Sequence, residues 1–371
     1  MRILLICEAF RALGGLREAV DSLAREYLAR GHSVAVASVR APYREDREIR
    51  SNVECFPIDV PRWKPVTWRH PERFFRRVEA TELKKVLREW RPEVVNVHGG
   101  VWERFPTIIE ACRSEQIPVV VSFQSASYSG TWGAKALASL RVASGLTAVS
   151  QAAKDYMQTL SPAMASAAVI PNGADFHVLS EAHPLKRNRP YLFCAARLFL
   201  EEKAVDLLIQ ALGLIAQDHP EIDLLIAGDG PDRGTLERMI GKLGLSNRVE
   251  MLGFKSQAEL GSLYKGAQIF VMPSRFREGL PLVFLEAMAA GVPTVGSAIG
   301  GVPEAIRDGG NGLLLRENTS EELAGVLRRL LDDQSLRERM SLKALDLAQQ
   351  FTWPVIAASY LETYSRAIEG R

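Results

Sequence analysis

Glu278 and Glu286 are the residues whose type and spacing point most directly at chemistry. They lie in VMPSRFREGLPLVFLEAMAAG, residues 271–291, which reads as a short apolar strand, a charged turn and a helix. Pro281 fits the first helical position, where its missing N–H costs nothing, and Gly291 with Pro293 ends the helix, bracketing residues 280–290. Inside that bracket Glu286 is the one ionisable side chain, set among Leu282, Val283, Phe284, Leu285 and Met288. A helix apolar nearly all round is a buried one, and a carboxylate carried into it needs a partner. Glu278 stands in the turn before the helix, where unpaired amides and the helix dipole favour anions. Two carboxylates thus frame an anion-attracting helix end. The plainer readings are a salt bridge from Glu286 to a distant Arg and a simple capping role for Glu278.

Other residues of chemical interest stand at strand ends or helix starts. Arg197 follows the strand YLFCAA, and Lys203 comes six residues later at a helix start. They are either surface cations or a paired anion site. Gly14 and Gly15 precede the first helix, where a phosphate could approach the backbone closely, although a flexible turn explains a Gly-Gly pair equally well. His98, Gln124 and Ser150 close three apolar runs, and ligands of open α/β sheets bind at the carboxyl ends of strands. A lone His in such a place is as readily a satisfied core residue. GDGPDRG, residues 228–234, has the wrong glycine spacing for a dinucleotide fingerprint, and no acidic residue follows at the expected strand end, so hydride transfer is a poor reading.

The elements that must position these residues alternate between strand and helix. Residues 2–7 form a buried-strand run, 16–29 a helical pattern stopped by Gly31, and 33–39 a second strand, the opening of a parallel α/β domain. The polar stretch 181–190 reads as a linker, and the strand starting at Tyr191 opens a second α/β domain. A length of 371 residues accommodates both. The content of 47% hydrophobic and 24% charged residues is that of a soluble globular protein.

The net charge of +2 gives no reason to expect nucleic acid, but residues 1–180 hold 24 Lys and Arg against 19 Asp and Glu, so the first half is the basic one. Residues 62–91 concentrate that excess, ten basic against four acidic, interleaved with Trp63, Trp68, Phe74, Phe75 and Trp90. Such a segment suits an anionic membrane surface or acceptor, or else a solvated helix with its aromatics in the core. Prolines 61, 65 and 71 allow a clean helix only from about Glu72. Cys7, Cys55, Cys112 and Cys194 are scattered, which suggests neither a zinc site nor a disulfide framework and fits a reducing cytosol. The expected location is cytoplasmic, with the inner face of the membrane as a possible station, since no run reaches signal-peptide or transmembrane length.

Glu278-x7-Glu286 and the run EGLPLVFLEAMAAGVPTV resemble the signature of the retaining GT-B glycosyltransferases of family 4, glycosyl transferases group 1. The resemblance covers nearly the whole chain, strongest over 197–304 and weakest over 41–90. It implies two Rossmann-like parallel-sheet domains facing across a cleft, with a C-terminal helix crossing back to the first. The acceptor-side domain would be 1–178 plus 353–371, and the nucleotide-sugar domain 188–352. By the same resemblance Glu278 binds donor-sugar hydroxyls, Glu286 the ribose diol, and Arg197 with Lys203 the diphosphate. The amides around Gly279, Leu280 and Leu282 and those near Gly14 and Gly15 face the donor, and Phe254 is a candidate to stack beside the nucleobase. Relatives place Gly after the Lys, where this chain has Ala204, and His where it has Gln124. Gln cannot accept a proton, so either His98 substitutes or no protein base is needed.

The activity so implied is retaining sugar transfer from a nucleotide-diphosphate sugar, UDP-sugar favoured, to a lipid-linked or polysaccharide-type acceptor. The sequence contains no Asp-x-Asp, so a metal-free mechanism without cofactor is expected, with cations and helix ends stabilising the leaving diphosphate. The alternatives are a GT-B sugar-nucleotide epimerase and a catalytically silent nucleotide-sugar sensor.

Overall fold

A computed structural model describes residues 1–7, 15–39, 53–58, 71–99, 104–125 and 134–370, the side chains at 39, 57 and 71–78 excepted. Contacts divide the chain into two units, Met1–Asn172 with Trp353–Arg371, and Gly173–Thr352. The first runs β1 (Arg2–Cys7), α1 (Gly15–Ala29), β2 (Ser33–Val39), β3 (Glu54–Ile58), α2 (Pro71–Trp90), β4 (Val94–His98), α3 (Phe105–Ser114), β5 (Val119–Phe123), α4 (Ala134–Ser139), β6 (Gly145–Ala148), α5 (Gln151–Leu160) and β7 (Ala168–Val169). The second runs α6 (Phe176–Glu181), β8 (Tyr191–Ala195), α7 (Val205–Ile215), β9 (Asp223–Ala227), α8 (Arg233–Lys242), β10 (Val249–Gly253), α9 (Gln257–Gly266) and β11 (Ile269–Met272). It continues with α10 (Leu282–Ala289), β12 (Thr294–Ser297), α11 (Val302–Ala305), β13 (Gly312–Leu315), α12 (Ser320–Asp332) and α13 (Gln334–Ala348). The last helix, α14 (Trp353–Glu369), belongs to the first unit.

Among the described residues the first sheet has the order β3-β2-β1-β4-β5-β6-β7 and the second β10-β9-β8-β11-β12-β13. The strands pair in parallel throughout. Each order reverses once, between β1 and β4 in the first unit and between β8 and β11 in the second, and such switch points are where doubly wound sheets bind ligands. Parallel strands covered by helices on both faces read as continuous apolar runs. Accordingly β4, β5, β8, β9 and β11 are buried at every position. Leu208 and Leu212 of α7 and Leu323 and Leu327 of α12 share one core cluster with Leu192, Leu224, Ile226 and Val271 of the second sheet. Each such fully buried Leu contributes roughly 1.5–3 kcal/mol relative to exposure.

The described part of segment 62–91 takes the core reading. Leu83, Val86 and Leu87 of α2 are buried, and partly buried Trp90 packs against the same cluster with the Arg2 guanidinium 5.0 Å over its ring. Trp63 and Trp68 and the side chains of Phe74 and Phe75 lie outside the described residues. Among the described residues no helix is long and apolar enough to cross a membrane.

α14 packs on α1 and on β4, β5 and β6 through a buried polar ladder. The Tyr27 and Tyr364 hydroxyls lie 3.1 Å apart, and Tyr364 donates to Asn96 Oδ1 at 2.6 Å. The Asn96 amide donates in turn to Ser122 Oγ at 2.8 Å, as does Thr147.

Two glycines of GDGPDRG, Gly228 and Gly230, answer to packing. A Cβ at Gly228 would stand 1.9 Å from the Ala196 carbonyl oxygen, and one at Gly230 2.3 Å from that of Leu198. The Leu198 amide donates to Asp229 O at 3.0 Å and the Leu200 amide to the Asp232 carboxylate at 2.8 Å. Those glycines let the loop after β9 lie directly on the loop after β8.

Candidate functional site

The helix α10 begins one turn position later than its sequence suggests. Pro281 has ψ of 126°, extended rather than helical, so it is the cap residue and Leu282 the first helical one. The other end follows expectation: the Gly291 amide donates to Met288 O and the Val292 amide to Ala287 O, closing the last turn. Amides of the first turn have no acceptor inside the helix, so the Leu282 end presents donors and a positive dipole.

At the β8/β11 switch point the structure brings Lys203 and Glu278 together. Lys203 ends the loop after β8, where its backbone bridges that of Ser274 and its Nζ pairs with Glu278 Oε1. Both side chains are largely buried, 13% and 16% exposed, so the pair is screened little by solvent. Ser274 Oγ donates to the same Oε1 at 2.8 Å. Both of these donors lie on Oε1 and not on Oε2. Glu278 is also held by its main chain. Its carbonyl accepts the Gly301 amide at 2.9 Å, and a Cβ at Gly300, whose φ is +54°, would fall 2.2 Å from that oxygen.

Arg197 stays on the same loop but turns to Glu202, 2.6 Å away, with 68% of its side chain exposed. The structure does not join it to Glu278. Ala204 has φ of −80°, so the position that is Gly in relatives needs no glycine here, and its amide donates to Pro273 O at 3.0 Å. Gly279 and Leu280 are buried ahead of α10, and Leu282 is half-buried. Phe254, just beyond β10, is 48% exposed.

Glu286 is 7% exposed, and among the described residues its carboxylate is held by a tyrosine and a glutamine of α9. Tyr264 of α9 donates its hydroxyl to Oε2 at 2.9 Å, and Gln257 donates to Oε1 at 3.3 Å. Burial, and then the neighbouring carboxylate, raise the Tyr264 phenol well above its ordinary value, so it remains a donor. Neither partner was legible as such, because Tyr264 reads as one more core aromatic of a helix.

The first unit differs. Gly15 is the exposed first residue of α1, while Gly14 lies outside the described residues. His98 ends β4 fully buried, neither ring nitrogen has a hydrogen-bond partner among the described residues, and burial drives its pKa down to about 3. It is therefore a neutral imidazole, not a satisfied core histidine, with the Tyr360 ring centroid 5.6 Å away. Gln124, half-buried beyond β5, shares the surroundings of the Tyr360 hydroxyl with Ser122 and Thr147. Ser150 is a helix cap whose Oγ accepts the Ala153 amide at 3.1 Å. Among the described residues no group of three His, Cys, Asp or Glu is placed to hold a metal ion.

Two doubly wound parallel sheets in one chain are the fold of the GT-B glycosyltransferases. Family models agree: Glycosyltransferase Family 4 matches residues 13–178 and Glycosyl transferases group 1 matches residues 175–346. The chain belongs to this family of GT-B glycosyltransferases.

It is 37% identical to an alpha-D-kanosaminyltransferase of Streptomyces kanamyceticus over 160 residues, 43% of this chain and 41% of that one. It is 28% identical to a glycogen synthase of Mycobacterium tuberculosis across 100% of this chain and 96% of the other. The match thus spans less than half the length of the kanosaminyltransferase, and 18% of an exopolysaccharide phosphotransferase of Streptomyces coelicolor that is 36% identical over 176 residues. Of solved structures, HepE of Anabaena in complex with UDP and glucose superposes with TM-score 0.77 at 22% identity, covering 98% of this chain and 99% of that one. Sucrose-phosphate synthase of Thermosynechococcus elongatus gives 0.82 at 20% identity, covering 100% of each. At these identities the likeness is one of fold.

Proposed function

We propose that the chain transfers a sugar, with retention, from a nucleotide-diphosphate sugar to a carbohydrate or lipid-linked acceptor, without a metal, at the cytoplasmic side. The observation that carries this reading is the Lys203–Glu278 pair, buttressed by Ser274, at the β8/β11 switch point. A UDP-sugar is the favoured donor, because solved relatives of the same fold are described with UDP and UDP-glucose.

In the reaction the bond between the anomeric carbon and the diphosphate oxygen breaks, and the electron pair leaves with the nucleotide. Negative charge grows on the diphosphate. Lys203, Arg197 and the amides at the start of α10 oppose it, each charge-assisted hydrogen bond contributing roughly 1.5–3 kcal/mol. Glu278 Oε2 takes a hydroxyl of the donor sugar, and Glu286 takes the ribose diol, for which one carboxylate can accept both protons. The acceptor oxygen bonds to the anomeric carbon from the face the diphosphate leaves, and its proton goes to the departing phosphate. No protein base is then required at Gln124. His98, with a pKa of about 3, is too weak a base for neutral pH to serve in its place.

The test is a panel of UDP-, GDP- and ADP-sugars assayed for donor hydrolysis and transfer with the wild-type chain, Lys203→Ala and Glu278→Ala. Turnover by wild type with loss in both folded variants is expected. Wild-type rates in either variant would refute the assignment.

A further inference from the structure

Glu278 is aimed by a device built from three strand-end loops, and its parts have ordinary polar side chains. Ser274, immediately after Pro273 beyond β11, is fully buried. Its amide donates to Ser297 Oγ at 2.9 Å, and its carbonyl accepts the Asn318 amide at 3.0 Å. Ser297, the last residue of β12, donates to Asn318 Oδ1 at 2.6 Å, which closes a ring of three hydrogen bonds. Asn318 is itself fixed. Its φ is +55°, a left-handed conformation that Asn adopts more readily than most residues. The Glu322 carboxylate collects the amides of Arg316, Glu317 and Asn318 at 2.7, 3.0 and 2.9 Å, so the turn cannot relax without losing all three.

We infer that Ser274 is a positioning residue for Glu278, and that Asn318 acts on Glu278 through Ser274. The ring engages only main-chain atoms of Ser274, so Ala at that position would leave it intact. The hydroxyl is left with Glu278 Oε1, 2.8 Å away, as its acceptor. Lys203 alone cannot fix the carboxylate, because an ammonium on a four-carbon stem follows the charge wherever it turns. Two donors on Oε1, one of them immobile, set the direction of Oε2.

The rate measurements rest on the proposed transfer; the structural measurement does not. With the best donor of the panel, Ser274→Ala should lower kcat by about 10- to 100-fold, with donor KM, UDP affinity by calorimetry and Tm near wild type. Asn318→Gly keeps the left-handed turn while removing the amide, and should lower kcat less. The double variant should be no slower than Ser274→Ala alone, since the second residue acts through the first. A Ser274→Ala kcat within twofold of wild type overturns the role of Ser274, and losses that multiply in the double variant overturn that of Asn318. Crystal structures of both variants without ligand should show the Glu278 carboxylate turned from its present orientation. An unchanged carboxylate refutes the inference even if the wild-type chain proves to turn over no nucleotide sugar, the outcome that would instead remove the proposed transfer.

Discussion

The two sheets share one strand order around their switch points, yet the residues placed there are finished in opposite ways. At β8/β11 the charged groups of the site have partners before any ligand arrives: Lys203 and Ser274 on Glu278, Tyr264 and Gln257 on Glu286, Glu202 on Arg197. At β1/β4 His98 is sealed from solvent and, among the described residues, bonded through neither ring nitrogen. A buried charge survives only with partners, whereas an imidazole can discard its proton and stay buried. The second unit keeps its charges and spends hydrogen bonds on aiming them. The first keeps no charge at His98 at all.

The comparison breaks most sharply at Lys203 and Glu278. Removing either should lower kcat by about 10²–10³-fold, the loss typical of one electrostatic contact to a transition state, while circular dichroism stays that of the wild type. Retained turnover would mean the pair is structural and that the two switch points do not differ in kind.

Next in size is Glu286→Ala, which should weaken UDP binding by about 10- to 150-fold, the equivalent of one lost charge-assisted hydrogen bond. Calorimetry with UDP reads this directly. Unchanged affinity would detach Glu286 from the ribose.

His98 sharpens the contrast from the other side. Its folded pKa of about 3 lies below the unfolded value near 6.5, so between those pH values the unfolded chain binds the extra proton. Stability from this residue is complete above about pH 6.5 and drains away as pH falls, by up to ~1.4 kcal/mol per unit. His98→Leu should flatten that slope in urea titrations between pH 4 and 7 and cost little at pH 7.5, because an apolar group replaces an unpaired polar one. A variant that loses its cooperative fold at pH 7.5 would show that the imidazole does more than fill space.

The smallest effect is expected at Tyr264→Phe. Losing one hydroxyl from a buried carboxylate should cost about 1–2 kcal/mol, with UDP affinity falling only a few fold. If Tm and affinity both stay at wild-type values, the Tyr264 bond is dispensable and Gln257 suffices.

Much of the fold was legible because parallel strands buried on both faces announce themselves. β1 and β2 fall at the expected residues. Pro281 went astray by one position, since proline fixes φ and leaves ψ to the tertiary structure, which here chose the extended value. The pairing of Lys203 with Glu278 spans 75 positions and could be anticipated only through resemblance to a known family. Ser274, Ser297 and Asn318 were invisible for a different reason. Short polar residues after strands are common, and only the closed ring distinguishes these. The Gly300-Gly301 pair was a signal that went unread, a place where one backbone lies against another.

The packing of Gly228 and Gly230 against residues 196–198 has a bearing on how such an enzyme could be altered. Because each backbone fills the space a side chain would need on the other, the two loops cannot be lengthened or shortened separately. Attempts to change the nucleotide or sugar accepted should therefore leave this seam alone. Variation is better directed at the exposed side chains of Phe254 beyond β10 and Phe276 in the turn before Glu278, 48% and 39% exposed.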